Sequence, residues 1–101
     1  MTYDKGTVTA SGPEIHIESL LELISQETRS VLKRMSPEHL NKIEEIRMRT
    51  GKPLMVQNSR GDWFVKPDGG LSYSPDTSYI VYRDELLKTV ELMSENSLYA
   101  Y

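Results

Sequence analysis

Ile43-Glu-Glu-Ile-Arg-Met-Arg-Thr-Gly-Lys-Pro-Leu54 decides how this chain is read. Ile46 and Met48 alternate with Arg47 and Arg49, so a strand over 45–49 buries its apolar side chains on one face and presents two guanidiniums on the other. Thr50-Gly-Lys-Pro53 then breaks the strand and turns the chain back. Two further strands are predicted at about 54–58 and 62–66. Asn58-Ser-Arg-Gly61 joins them as a hairpin whose glycine accommodates a positive φ.

Upstream of this stretch the pattern is helical. Ser19-Leu-Leu-Glu22 fits a capping box, and Leu20, Ile24, Thr28, Val31 and Met35 continue at spacings of three and four, which predicts one amphipathic helix to about residue 34. Ser36-Pro37-Glu38 restarts a short second helix that carries Leu40 and Ile43 inward. Downstream, Tyr79-Ile-Val81 reads as a short fourth strand, and Leu86, Val90 and Met93 define a helix over about 83–94. Ser97-Leu-Tyr-Ala-Tyr101 reads as the first turn of a further helix. Residues 1–13 show no apolar periodicity and read as a loose tail or as part of an extension that orders only by packing on a neighbour, and residues 1–17 are expected to be a flexible N-terminal extension. The fold class expected is α+β: one domain over 18–101, with a small, mainly antiparallel sheet packed on one face by the N-terminal helices and one C-terminal helix.

Composition narrows the function. The chain has 101 residues, enough for one domain with a modest core. It has no cysteine, so disulfides, thiolate metal sites and thiol nucleophiles are excluded. Its 38% hydrophobic and 27% charged residues are those of an ordinary globular domain, and no apolar run reaches the roughly 18 residues of a membrane span. The expected location is cytoplasmic. Net charge is −3, yet residues 47–66 carry +4 and the remainder −7. A local basic patch on an acidic body suits one anionic ligand or an acidic partner better than general nucleic-acid binding.

Catalytic patterns are mostly missing. Gly51-Lys52 fails as a phosphate-binding loop, because Ile46 stands where the first glycine is needed and Pro53 where serine or threonine would hold magnesium. His16 and His39 have no histidine partner at helical spacing, Glu44 and Glu45 diverge from one another, and Asp84-Glu85 is explained by a helix start. Trp63 is expected to be a core or hairpin-packing aromatic rather than a ligand stacker. The candidate phosphate or anion contacts are therefore Arg47, Arg49, Lys52 and Arg60, set against the plainer reading that the strand face is simply solvated.

The run 43–54, then Tyr79-Ile-Val-Tyr-Arg-Asp-Glu-Leu86, then Leu92-Met-Ser-Glu-Asn-Ser-Leu-Tyr-Ala100, in this order and spacing, resembles the N-terminal region of the stage III sporulation protein AA family. The resemblance covers roughly residues 18–101. It implies a RecA-like ATPase domain beyond this region, which makes Tyr101 a break point rather than a natural end. It also implies kinship with the motors of type II and type IV secretion and of pili. On that footing the full-length protein is a mother-cell cytoplasmic ATPase, hexameric, using ATP and magnesium. It would serve the channel between mother cell and forespore, peripheral to the forespore membrane through membrane partners. The present chain would be its PAS-like, non-catalytic N-terminal domain, with no cofactor of its own. Its partners would be its own ATPase domain, neighbouring subunits and the channel's membrane proteins. In related motors arginines of the N-domain approach the nucleotide phosphates, and Arg47 and Arg49 stand where such a role would fall. A departure lies in the second strand: those motors often have an arginine before a Val-Asp-Gly turn, where this chain has Gln57 and Asn58, with Arg60 following. The alternative is a free-standing module that binds nucleic acid or another polyanion through the basic strand face.

Overall fold

A computed structural model describes residues 2–4, 6–11 and 17–95 of the chain. It is an α+β domain built on a six-stranded antiparallel sheet whose strand order follows the chain: β1 (Thr2–Asp4), β2 (Thr7–Ser11), β3 (Glu45–Arg49), β4 (Met55–Asn58), β5 (Gly61–Val65) and β6 (Leu71–Ser72). Between β2 and β3 come α1 (Ile17–Leu21), α2 (Gln26–Lys33) and α3 (Pro37–Leu40), and α4 (Arg83–Glu95) follows the sheet.

Alternation sorts the strands' side chains onto two faces. Val8 and Ala10 of β2, Ile46 and Met48 of β3, Val56 of β4 and Val65 of β5 point inward, all at most 2% exposed. They form one core with Leu20 and Leu21 of α1, Val31 and Leu32 of α2, Leu86 and Met93 of α4, and Val81. Leu40 of α3 and Ile43 pack against its rim. Each large apolar side chain buried here stabilises the fold by roughly 1.5–3 kcal/mol. The outward residues of β2–β5 take no part in that core, so the helices lie on one side of the sheet only.

The hairpin at Asn58–Gly61 forms as the sequence predicts, with Gly61 at φ 123°. So does the start of α3: Pro37 occupies its first turn and the Ser36 hydroxyl accepts from the His39 N–H at 3.2 Å. Ser36→Ala is expected to lower stability by about 1 kcal/mol, read as a shifted urea midpoint with unchanged slope.

Three expectations need correction. Residues 7–11, read as lacking regular structure, form β2, which pairs with the whole length of β3 from Thr7↔Arg49 to Ser11↔Glu45. The helix over 19–34 is two helices with a turn at 22–25. At the turn the Leu23 and Ile24 N–H groups bond three residues back, to Leu20 and Leu21, and the Ser25 N–H leaves the helical ladder for the Thr89 hydroxyl. Ser19 consequently sits inside α1 rather than capping it. Tyr79–Val81 is not a sheet strand: it makes a single bridge, Pro53↔Ile80. Its backbone bonds to Gly51, Lys52, Leu54 and Val65 fasten it over the β3–β4 connection. The turn read at 97–101 lies outside the described residues.

Candidate functional site

The two arginines of β3 project from the helix-free side of the sheet. Register places Thr9, Arg47, Met55, Phe64 and Ser72 in one outward row across β2–β6, and Glu45, Gln57 and Asp62 in a second. Arg49 stands opposite Thr7 beyond the other side of the middle row. Met55 and Phe64 are half-buried yet outside the core, so the face is amphipathic rather than simply solvated.

The two guanidiniums have different surroundings. Arg47 Nη2 lies 2.6 Å from Glu45 Oε2, two residues back on the same face. Arg49 has no carboxylate partner among the described residues. Its Nη2 reaches the Met55 thioether at 3.6 Å, and its Nε is buried with no hydrogen-bond partner. A thioether is a weak acceptor, so this guanidinium is poorly satisfied. Lys52 and Arg60 are both exposed, and they lie beyond opposite ends of the β3–β4 pair, Lys52 past Arg49 and Arg60 past Glu45. Roughly 15 Å or more of strand separates those ends. The four cations therefore do not converge on one phosphate: Arg47 and Arg49 share a face, and the other two flank it.

The best-organised polar cluster is elsewhere. Glu85, 5% exposed in the first turn of α4, accepts from the Thr28 hydroxyl at 2.8 Å and the Tyr79 hydroxyl at 2.5 Å on Oε1, and from the Tyr82 N–H at 2.9 Å on Oε2. Thr89 donates to the Glu85 carbonyl and accepts from the Ser25 N–H. Burial first, then the hydrogen bond and negative charge of Glu85, push the Tyr79 phenol above its ordinary value of 10.0. The cluster ties α2, the 79–82 segment and α4 together. Sequence reasoning took Glu85 for a helix-dipole residue and missed this role, since an acid at a helix start carries no mark of what covers it. It also missed Met55 and Phe64: the hairpin register pairs them with each other, but only the β3–β4 register brings them beside Arg47.

A second feature of the surface is a shallow groove of about 380 Å³ between α3 and the β4–β5 turn, lined by His39, Lys42, Arg60 and Trp63 among others. The Trp63 indole donates to Asn58 Oδ1 and stacks on Tyr73 with centroids 4.3 Å apart, so it is anchored to the hairpin as expected. No helix among the described residues is long and apolar enough to cross a membrane.

Fold and face together define a small α+β domain: an antiparallel meander, helices on one side, and an open, arginine-bearing surface on the other. The chain belongs to the family described as sporulation stage III, protein AA, which it matches over residues 15–101. Neither the curated proteins nor the solved structures provide a match to it.

Proposed function

We propose that this chain is the non-catalytic N-terminal domain of a sporulation ATPase, acting in the mother-cell cytoplasm at the forespore membrane. Its task is to position the ATPase core and to take part in subunit contacts of a hexameric motor. Membership of the sporulation family across 15–101 carries this reading. On this reading the domain is the counterpart of the PAS-like N-domains of secretion motors. ATP and magnesium belong, on this reading, to the core that the domain serves, and channel proteins link the motor to the membrane.

Direct contact of Arg47 or Arg49 with nucleotide is not needed for that task. Arg47 is already engaged by Glu45, and the separation of Lys52 from Arg60 argues against a shared phosphate pocket. The same spread, with Glu45 and Asp62 among the cations, weighs against the polyanion-binding alternative.

The reading is tested by phosphate release from magnesium-ATP. The isolated chain should release none above buffer, whereas joined to an ATPase core of this family it should raise turnover about tenfold over the core alone. Enzyme-like turnover by the isolated chain would sink the proposal.

A further inference from the structure

The chain has five methionines, and the fold treats them unequally. Met35, Met48 and Met93 belong to the core, at 4%, 1% and 6% exposure. Met1 lies outside the described residues. Met55 is half-buried on the helix-free side of the sheet and takes no part in the core, so among the described residues it is the methionine most open to solvent. Its sulfur also has a specific neighbour. Arg49 Nη2 lies 3.6 Å from Met55 Sδ, and no carboxylate among the described residues competes for that guanidinium. A thioether is a weak acceptor, whereas the oxygen of a sulfoxide is polar and accepts well.

We propose that Met55 is a site of reversible oxidation by peroxide, at which the Arg49 guanidinium holds the sulfoxide formed. A sulfur lone pair of Met55 attacks one oxygen of hydrogen peroxide, and the O–O bond breaks. The other oxygen departs as hydroxide and takes the proton left on the oxygen now bound to sulfur, giving water. The thioether is thereby oxidised by two electrons to the sulfoxide, and the peroxide is reduced to water. Rotation of the unbranched side chain carries the new oxygen to Arg49, whose N–H donates a charge-assisted hydrogen bond. Oxidation of a core methionine disrupts packing, but here the polar product finds a donor already beside it. Methionine sulfoxide reductases return the thioether, so this position passes between an apolar and a polar state. The inference goes beyond the function proposed above, since it requires neither nucleotide nor an ATPase core.

Hydrogen peroxide added to the folded 101-residue chain, with peptide mass spectrometry over time, reads the site. Met55 should take up oxygen about tenfold or more faster than Met35, Met48 or Met93, which react only as the core opens. Met55→Leu should remove the fast uptake from its peptide and leave the other three slow. Equal rates at the four methionines overturn the proposal. Chain oxidised at Met55 alone is then unfolded in urea to read the part played by Arg49. Oxidation should leave the wild-type midpoint unchanged or raise it, and should lower that of Arg49→Ala by roughly 0.5 M. Arg49→Lys, which keeps a charged donor, should follow the wild type. Circular dichroism checks that each variant is folded. The same shift in wild type and Arg49→Ala overturns the proposal. If Arg49→Ala does not fold, the wild type decides alone: a midpoint lowered by roughly 0.5 M on oxidation overturns it, and one unchanged or raised supports it.

Discussion

Glu85→Ala is expected to lower the folding stability by about 4 kcal/mol, the largest effect of any single polar substitution in this domain. The carboxylate accepts three hydrogen bonds, from Thr28, Tyr79 and the Tyr82 backbone, and bonds to a charged acceptor contribute roughly 1.5–3 kcal/mol each without being additive. Alanine removes the acceptor and leaves the buried Thr28 hydroxyl and the half-buried Tyr79 hydroxyl without it. Urea unfolding reads the loss directly, and Glu85→Gln should fall between the two, because the amide keeps an acceptor oxygen but loses the charge. A loss below about 1 kcal/mol for alanine would show that the cluster is not the tie described here. The same cluster sets a pH signature. The Tyr79 phenol is held protonated in the fold, by burial and by Glu85, above the value of 10.0 at which the unfolded chain releases its proton. The unfolded chain therefore loses the proton first, and the stability that Tyr79 contributes is complete below pH 10 and declines as pH rises beyond it. Wild type should lose stability more steeply above that point than Tyr79→Phe, which has no phenol to titrate.

Gly69→Ala is the second large effect, expected at about 3 kcal/mol, from positive φ and overpacking together. Gly69 has φ 87°, and a Cβ there would lie 2.5 Å from the backbone C of Arg34 and N of Met35. These are main-chain atoms at the end of α2 and cannot rotate away. The Arg34 guanidinium donates to the Pro67 carbonyl at 2.9 Å, so the loop after β5 is clamped to the helix end from both directions. Gly70→Ala is the control. Its Cβ would meet the Lys66 side chain at 2.7 Å, and a lysine tip can swing aside, so the loss should stay below about 1 kcal/mol. Equal losses at 69 and 70 would point to loop entropy instead of the close approach.

Local chemistry made much of this fold legible. The β3 alternation, the Asn58–Gly61 hairpin, the Ser36-Pro37 helix start and the 83–95 helix each rest on interactions among residues close in sequence. What could not be read depends on partners far away. Thr7-Val-Thr-Ala-Ser11 has only two small apolar residues to declare a strand, and it becomes one because β3 offers its free edge. The interruption at 22–25 is set by Thr89, sixty-four residues on, which takes the Ser25 N–H. At the candidate site the arginines were identifiable from their strand pattern. That Arg47 is engaged and Arg49 is not, and that Lys52 and Arg60 lie apart, follows from side-chain geometry and strand register, to which composition gives no access.

The position of β2 has a practical consequence for anyone trimming this domain. The family match begins at residue 15, after β2, while β2 covers the full length of β3 and brings Val8 and Ala10 into the core. A fragment cut to the matched residues would leave β3 as an unprotected border, its N–H and C=O groups open to any other extended chain. Natural sheets guard such borders against indiscriminate strand addition and clumping. The eleven-residue lead-in thus acts as a seal, and a fragment that loses it invites aggregation that says nothing about the intact domain.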